Sequence, residues 1–408
     1  MKAVKILLLF AATLMAADFA FAQTWTQTSA TNQAWFAVAS SADGNKLVAA
    51  AAGNNFGPGP IYTSTNSGAM WTLTKAPSNT WASVASSADG SRLVAVADVV
   101  TGNNFGPGPI YTSTNSGVDW ISNNVPEENW DFVASSADGN KLVAVASNGG
   151  IYTSTNSGIN WTPNNVPDNL WTSVASSADG NKLVAVFIAG NGGGIYTSTN
   201  AGGDWMASAD APNSPWFFVA SSADGNKLAA VAAESSVALI PIYTSTNSGI
   251  NWTQSGSTSQ RWSSIASSSD GTKLVAVVGK NGSVGAIYTS TDSGNNWNSN
   301  SVPTTNWVCV ASSADGNKLV ALANNFTSIG GIWTSQSISS PQLNIVPLTD
   351  ILTLSWIIPS TNFVLQQSFD LTSWWDVTNV PVLNLTNLQN QVTLSPSNTS
   401  GFYRLKTP

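Results

Sequence analysis

Six carboxylates of this 408-residue chain stand in the variable loops between its repeated phrases: Asp98, Glu127, Glu128, Asp168, Asp210 and Glu234. Two carboxyl groups held about 5–10 Å apart are the minimum apparatus for cleaving a glycosidic bond, one as acid and the other as base or nucleophile. The same residues also read as solvated loop charges that keep a protein soluble. A second feature is aromatic. Residues 53–68 and 102–117 both spell GNNFGPGPIYTSTNSG, and Asn324-Asn325-Phe326 is a shorter relative. Asn55, Asn104 and Asn325 therefore each stand directly before a ring, Phe56, Phe105 or Phe326. A ring beside amide groups suits a sugar, whose C–H face stacks while its hydroxyls hydrogen-bond. Recent duplication, with each ring tucked against its own loop, produces the same pattern.

Much other chemistry is excluded by composition. The chain has no His, so a Ser-His-Asp triad, a His-ligated metal and an imidazole switch are all ruled out. Its single Cys, Cys309, permits no disulfide framework and no thiolate cluster. Charged residues are 9% of the total, against about 25% in ordinary soluble proteins. With a net charge of −7 there is no basic stripe to displace counterions from nucleic acid. We expect no cofactor, no bound metal and no catalytic residue.

The elements that position these loops come from repetition. The phrase Trp-x-x-Val-Ala-Ser-Ser-Ala-Asp-Gly-Asn-Lys-Leu begins, with small variations, at Trp35, Trp81, Trp130, Trp171, Trp216, Trp262 and Trp307. The spacing of 41–49 residues is that of propeller blades or of paired-helix repeats. Short runs of Val, Ile, Thr, Tyr and Trp, punctuated by Gly, Asn, Asp and Pro, choose strands. In the third repeat four strands are expected at 130–136, 141–146, 150–154 and 160–163. The expected fold is all-β, a seven-bladed β-propeller. The seventh repeat lacks a fourth strand, and Thr24-Trp25-Thr26-Gln27-Thr28 matches Asn251-Trp252-Thr253-Gln254-Ser255, so residues 24–28 are expected to close the ring. The Asp-Gly and Asn-Ser-Gly turns fall at one end of each blade. The variable loops, which carry all six loop acids, fall at the other, where function usually resides. The Trp opening each repeat, the Tyr recurring on the third strand (62, 111, 152, 196, 243, 288) and Cys309 all read as packing.

Residues 1–22 have a positive start, an apolar stretch and the small-residue site Ala20-Phe21-Ala22, which reads as a secretory signal. No later stretch is long and apolar enough to span a membrane. The domain expectation is a signal at 1–22, a propeller at 23–339 and, where the repeats cease, a small six-stranded β-sandwich at 340–408.

The turn Ser64-Thr65-Asn66-Ser67-Gly68-Ala69-Met70-Trp71 recurs at 113–120, 154–161, 198–205, 245–252 and 290–297. It resembles the Asp-box, or BNR repeat, Ser-x-Asp-x-Gly-x-Thr-Trp, of sialidase-like propellers, found also in photosystem II assembly factors and xyloglucan-cleaving enzymes. Asn replaces the Asp in five boxes, and only Asp292 keeps it; an Asn oxygen accepts the same turn bonds, so the box acts as a folding staple. The resemblance implies a sialidase clamp of three arginines. Of Arg92, Arg261 and Arg404 only Arg261 is suitably placed, and sialidase activity is excluded. The expectation is an exported, secreted or periplasmic, monomeric, non-enzymatic propeller that binds a glycan or an extracytoplasmic protein. The alternative is a glycan hydrolase or lyase using two loop acids, with Glu128 and Asp168 as the pair to test.

Overall fold

The computed structural model describes residues 24–53, 57–101, 104–232, 239–279, 284–325, 328–337, 343–347, 351–357, 364–384, 389–394 and 401–406. The proposed export signal at 1–22 lies outside them. The described residues contain strands and turns and no helix; the chain is all-β. The first strand, β1 (Trp25–Gln27), precedes the first complete repeat, β2 (Ala34–Ser40), β3 (Leu47–Ala52), β4 (Ile61–Ser64) and β5 (Thr72–Leu73), an antiparallel sheet in that order. The pattern recurs through the repeat beginning at Trp262. Every residue of β3 is buried. A continuous apolar run of this length is what a strand covered on both faces requires.

Each turn between first and second strands is held by its own side chains. Ser41 Oγ donates to Asp43 Oδ1 at 2.6 Å, Asp43 accepts the Asn45 N–H at 2.9 Å, and the Lys46 N–H donates to Ser41 Oγ at 3.0 Å. The box turn uses the same logic. The Gly68 N–H donates to Ser64 Oγ at 2.9 Å and the Met70 N–H to Asn66 Oδ1 at 2.8 Å. Ser67 and Gly68 both take left-handed φ values, +56° and +86°. Only the glycine adopts this without a side-chain penalty, and the compact turn holds Ser67 there. The Ser67 N–H donates to the Asn45 carbonyl at 2.8 Å, placing both turns at one end of the sheet as expected.

Neighbouring sheets are tied by main-chain bonds between these turns. Ala42 donates to Ala88, Ala88 to Ala137, Ala137 to Ala178, Ala178 to Ala223, Ala223 to Ser269, Ser269 to Ala314, and Ala314 back to Ala42, each at 2.7–2.8 Å. The cation ending each turn lies across the next turn's glycine. A Cβ on Gly139, for example, would meet Arg92 at 2.7 Å. Lys318 Nζ donates to Asn45 Oδ1 and Lys273 Nζ to Asn317 Oδ1, both at 2.6 Å.

The Trp residues pack between sheets. Trp35 is fully buried against Cys309, Val320, Leu322 and Ile332 of the seventh repeat and meets Tyr62 edge-on at 5.4 Å. The edge-on pair recurs with each repeated Tyr, and in the seventh repeat Trp333 takes its place against Trp307 at 5.9 Å. Trp25, Thr26 and Gln27 pair with Ser335, Thr334 and Trp333, so the N-terminal strand is the fourth strand of the seventh sheet. In the third repeat the second strand runs to Gly149 rather than Ala146, because Ser147 and Gly149 also pair with Leu170 and Asn169 of the following repeat.

Residues 343–406 contribute seven short strands among those described, one more than expected. They form a four-stranded and a three-stranded antiparallel sheet. Leu354, Trp356 and Val392 of one sheet share a buried cluster with Leu365 of the other.

The turn carboxylates have a consequence for acid stability. Burial raises the pKa of Asp43, Asp89, Asp138, Asp179, Asp224 and Asp270, but hydrogen bonds from Ser and main-chain donors and a neighbouring cation outweigh it and hold each below 3.8. A depressed carboxyl stabilises the fold above its unfolded pKa, and that contribution is lost as pH falls through the folded value. The unfolding midpoint should therefore drop steeply once pH falls below 3.8. Asp224→Ala should cost about 1–3 kcal/mol at neutral pH in denaturant titration.

Candidate functional site

In every repeat the strand register slips just after the opening Trp, between Trp130 and Phe132 in the third. The extra residue is a bulge, and a bulge re-aims its side chain. At this position stand Phe36, Ala82, Asp131, Thr172, Phe217, Ser263 and Val308, so the third repeat alone places a carboxylate there. Asp98 comes from the neighbouring sheet, near the end of the strand Leu93–Thr101 and opposite Thr80. The Trp130 N–H bonds to Asp98, and Ser147 Oγ donates to Asp131. Burial, then the like charge of Asp131, pushes the Asp98 carboxyl up to about 7. Thr80 Oγ1, Asp98 Oδ1 and Asn129 Oδ1 are buried without a hydrogen-bond partner in the protein.

The next cluster joins the third and fourth repeats. Tyr152 packs edge-on against Trp130 at 5.2 Å, and its hydroxyl donates to Glu128 Oε1 at 2.9 Å. Burial, the bond to Glu128 and the charges of Glu128 and Asp168 push that phenol up to about 12. Gly149 and Gly150 leave the carboxylates room: a Cβ on Gly149 would lie 3.3 Å from Glu128 Oε2, and one on Gly150 4.0 Å from Asp168 Oδ1. Two carboxylates and a phenol thus share one glycine-lined turn. Glu128 also pairs through its main chain with Gly108. Gly108 O accepts the Trp130 indole N–H at 2.8 Å, and Gly59 O does the same for Trp81. The Gly-Pro-Gly part of the duplicated loop is therefore a cap for the next repeat's Trp.

Of the six loop acids, Asp98, Glu128 and Asp168 come together in this sector with Asp131, and Glu127 is exposed beside them. Asp210 does not belong to the variable end. Its Oδ2 accepts from Asn251 Nδ2 at 3.2 Å and from the Trp252 N–H at 3.3 Å, which are box-turn groups of the next repeat. Glu234 lies outside the described residues, as do Asn55, Phe56 and Phe326. Asn104 and Phe105 belong to the strand Asn104–Gly106, which pairs with Val99–Thr101 in a hairpin rising directly from Asp98. Asn325 ends the strand Lys318–Asn325, opposite Ser328. Sequence reasoning missed Asp131, which hides inside the repeated phrase, and the hydroxyl of Tyr152, whose ring does pack as expected. Comparing the seven bulge residues position by position would have singled out Asp131.

Among the described residues no group of three or more His, Cys, Asp and Glu side chains is placed to hold a metal ion. No family model matches the chain, and neither does any curated protein. Solved structures do resemble it. A GH74 xyloglucanase from Xanthomonas campestris aligns over 82% of this chain with 14% identity and a TM-score of 0.57, although this chain spans only 59% of that enzyme. YCF48 bound to D1 peptide aligns over 78% of this chain and 97% of its own, with 14% identity and a TM-score of 0.55. The Swd1 β-propeller domain of Myceliophteria thermophila aligns over 77% of this chain and 100% of its own, with 10% identity and a TM-score of 0.55. At such identities the likeness establishes the fold alone. The fold is a β-propeller.

The raised Asp98 carboxyl predicts a pH dependence opposite in sign to that of the turn carboxylates. Between 3.8 and about 7 the folded protein holds a proton that the unfolded chain has released, so Asp98 makes stability fall as pH rises through that window. Asp98→Asn should abolish this slope. Above the window it should stabilise by about 1–2 kcal/mol, a figure discounted for the water that still reaches the carboxyl. Denaturant midpoints of both proteins at several pH values measure it.

Proposed function

We propose that this chain is an exported, monomeric, non-enzymatic propeller of seven Asp-box blades, closed by β1 and followed by a small C-terminal sandwich. On this reading it binds a glycan or an extracytoplasmic protein through its variable-loop end. The observation that carries the binding role is the set of buried acceptor atoms without partners at Thr80, Asp98 and Asn129. Unmet buried acceptors are costly, by about 1–3 kcal/mol each, and a ligand rich in N–H or O–H donors removes that cost. Sugar hydroxyls and protein amides are both such donors. The hairpin whose strand Asn104–Gly106 carries Asn104 and Phe105 rises beside Asp98, at the edge of the same sector. The D1 peptide held by YCF48 supports the protein arm, and the GH74 xyloglucanase supports the glycan arm.

A second reading, glycan hydrolysis or lysis, draws support from Glu128 and Asp168 about Tyr152. The phenol binds Glu128 as a donor, and its raised pKa keeps it protonated, so a proton and a carboxylate stand side by side. The two readings separate in one experiment. Purified residues 23–408 are presented with a polysaccharide panel and with extracytoplasmic protein fractions, and both retention and released reducing sugar are scored. Retention without release, weakened about tenfold or more by Asn129→Ala or Phe105→Ala, is the expected result. Sugar release lost in Glu128→Gln or Asp168→Asn would replace binding by catalysis.

A further inference from the structure

Beyond the repeats, the three-stranded sheet Trp375–Asp376, Val364–Ser368 and Phe402–Lys406 turns one face to the core and the other to water. Leu365, Tyr403 and Leu405 pack into the cluster of Leu354, Trp356 and Val392. Successive strand residues alternate faces, so Gln366, Ser368, Asp376, Phe402, Arg404 and Lys406 stand on the outer side. The register sets them in rows. Lys406 lies opposite Val364, Arg404 opposite Gln366 and Phe402 opposite Ser368, while Asp376 faces Gln366 from the other edge. Phe402, Arg404 and Lys406 are all exposed.

Arg404 is held more firmly than an exposed arginine requires. Its Nε donates to Gln366 Oε1 at 3.0 Å, and Gln366 Nε2 donates to Asp376 Oδ1 at 2.8 Å. Gln366 is only 5% exposed, so a buried amide fixes the guanidinium from below. The guanidinium carbon also lies over the Trp374 ring, 4.1 Å from its centroid. That ring is fixed in turn. Its indole N–H donates to Leu371 O at 3.2 Å, in a turn where Asp370 Oδ1 accepts the Thr372 and Ser373 N–H groups at 2.9 and 2.8 Å. Of the five N–H donors of the guanidinium, the Nε donor is used, and the four on the terminal nitrogens meet no protein acceptor among the described residues. Nor does Arg404 or Lys406 form an ion pair there. The repeats treat their cations differently, laying them across the glycine of the next turn.

We infer that this outer face binds an acidic polysaccharide, with a sugar carboxylate on the open edge of Arg404 and a sugar ring against Phe402. A guanidinium presents its donors as a planar fork that matches the two oxygens of a carboxylate, and here the fork is oriented before any ligand arrives. Phe402 stands two residues before Arg404 on the same face, and Lys406 two residues after it. Each step is about 6.5–7 Å along the strand, so one ring and two cations lie in line. A pyranose acid offers a rigid C–H face and a carboxylate in a single unit, which is what a ring beside a fixed cation selects. An acidic peptide offers carboxylates on flexible stems and no such face. The site belongs to the C-terminal strands and shares no residue with the variable-loop sector, so its fate is separate from the binding role proposed above.

The test titrates the full chain with polygalacturonate by calorimetry at low ionic strength. The expected result is saturable binding that added salt weakens, because salt screens exposed charges. Binding should weaken about tenfold or more in Arg404→Lys, which keeps the charge and loses the fork, and in Phe402→Ala. Lys406→Ala should weaken it too. That side chain is exposed and bonded to nothing among the described residues, so the variant keeps the test valid even if changes at Arg404 disturb folding, which the unfolding midpoint of each variant reports. The fully methyl-esterified polymer, with the same rings and no carboxylates, should not bind. Phe105→Ala and Asn129→Ala should leave polygalacturonate binding unchanged, which separates this site from the variable-loop sector. No saturable binding, equal binding of the methyl ester, or binding unaltered in both Arg404→Lys and Lys406→Ala would overturn the assignment. Equal affinity for polyglutamate would overturn it as well and give the face to an acidic protein.

Discussion

Ala42 donates its amide to Ala88, and six more bonds of the same kind follow until Ala314 donates back to Ala42. No single sheet here could stand alone. Each buries its Trp only against the sheet before it, as Trp35 does against Leu322 and Ile332. The cycle of main-chain bonds, repeated by the cations laid over the glycines, fixes the angle between neighbours so that every Trp finds its pocket. Such an arrangement depends on its last joint. The joint is made by three residues, Trp25–Gln27, which reach the seventh sheet from the other end of the chain.

The cycle also explains why the two ends of the molecule differ chemically. At the turn end nearly every polar group meets a repeated partner: Asp with Ser and main-chain donors, Lys with Asn, box serine with box glycine. A sequence constrained this way changes little from repeat to repeat. At the other end the bulge residue after each Trp takes no part in the cycle and varies from Phe to Ala to Asp to Thr, although Thr172 and Ser263 use it to bond the main chain of the next sheet at Trp216 and Trp307. The scaffold therefore permits chemistry at the bulge and forbids it at the turns. Asp131, Asp98 and the Glu128–Tyr152 pair occur where the constraint is weakest.

Much of this was legible in the sequence, for a physical reason. Strand, turn and box are local patterns in which each residue's partner lies two to five positions away, as Ser41, Asp43 and Lys46 show. The fourth-strand match of residues 24–28 was legible too, because the same pleated position demanded the same Trp. What stayed hidden depends on register. The acidic bulge at Asp131 looks like an ordinary strand residue until the slip between Trp130 and Phe132 sets it beside Ser147 and Asp98. Asp210 was placed at the wrong end because nothing in the sequence reveals that its carboxylate turns back to Asn251 and Trp252 of the next repeat's box turn. Tyr152 was legible as a packing ring but not as a hydrogen-bond donor, since its partner Glu128 comes from a loop of irregular length.

A repeat protein satisfies most polar groups by copying a solution. Some buried atoms without a partner repeat too, as the indole N–H groups of Trp35, Trp171, Trp262 and Trp307 do, whereas others mark places where the copy was interrupted. At Ser335 the interruption is topological, because its strand partner Trp25 comes from the other end of the chain. At Thr80, Asp98 and Asn129 it is compositional, because polar residues occupy positions that Ala34, Leu170 and Pro215, or Ala52 and Gly279, fill in other repeats; Asn306 and Asn324 of the seventh repeat carry unpartnered atoms at the same two positions. The group of Thr80, Asp98 and Asn129 lies in one sector, beside the Asp131 bulge and the Glu128–Tyr152 pair.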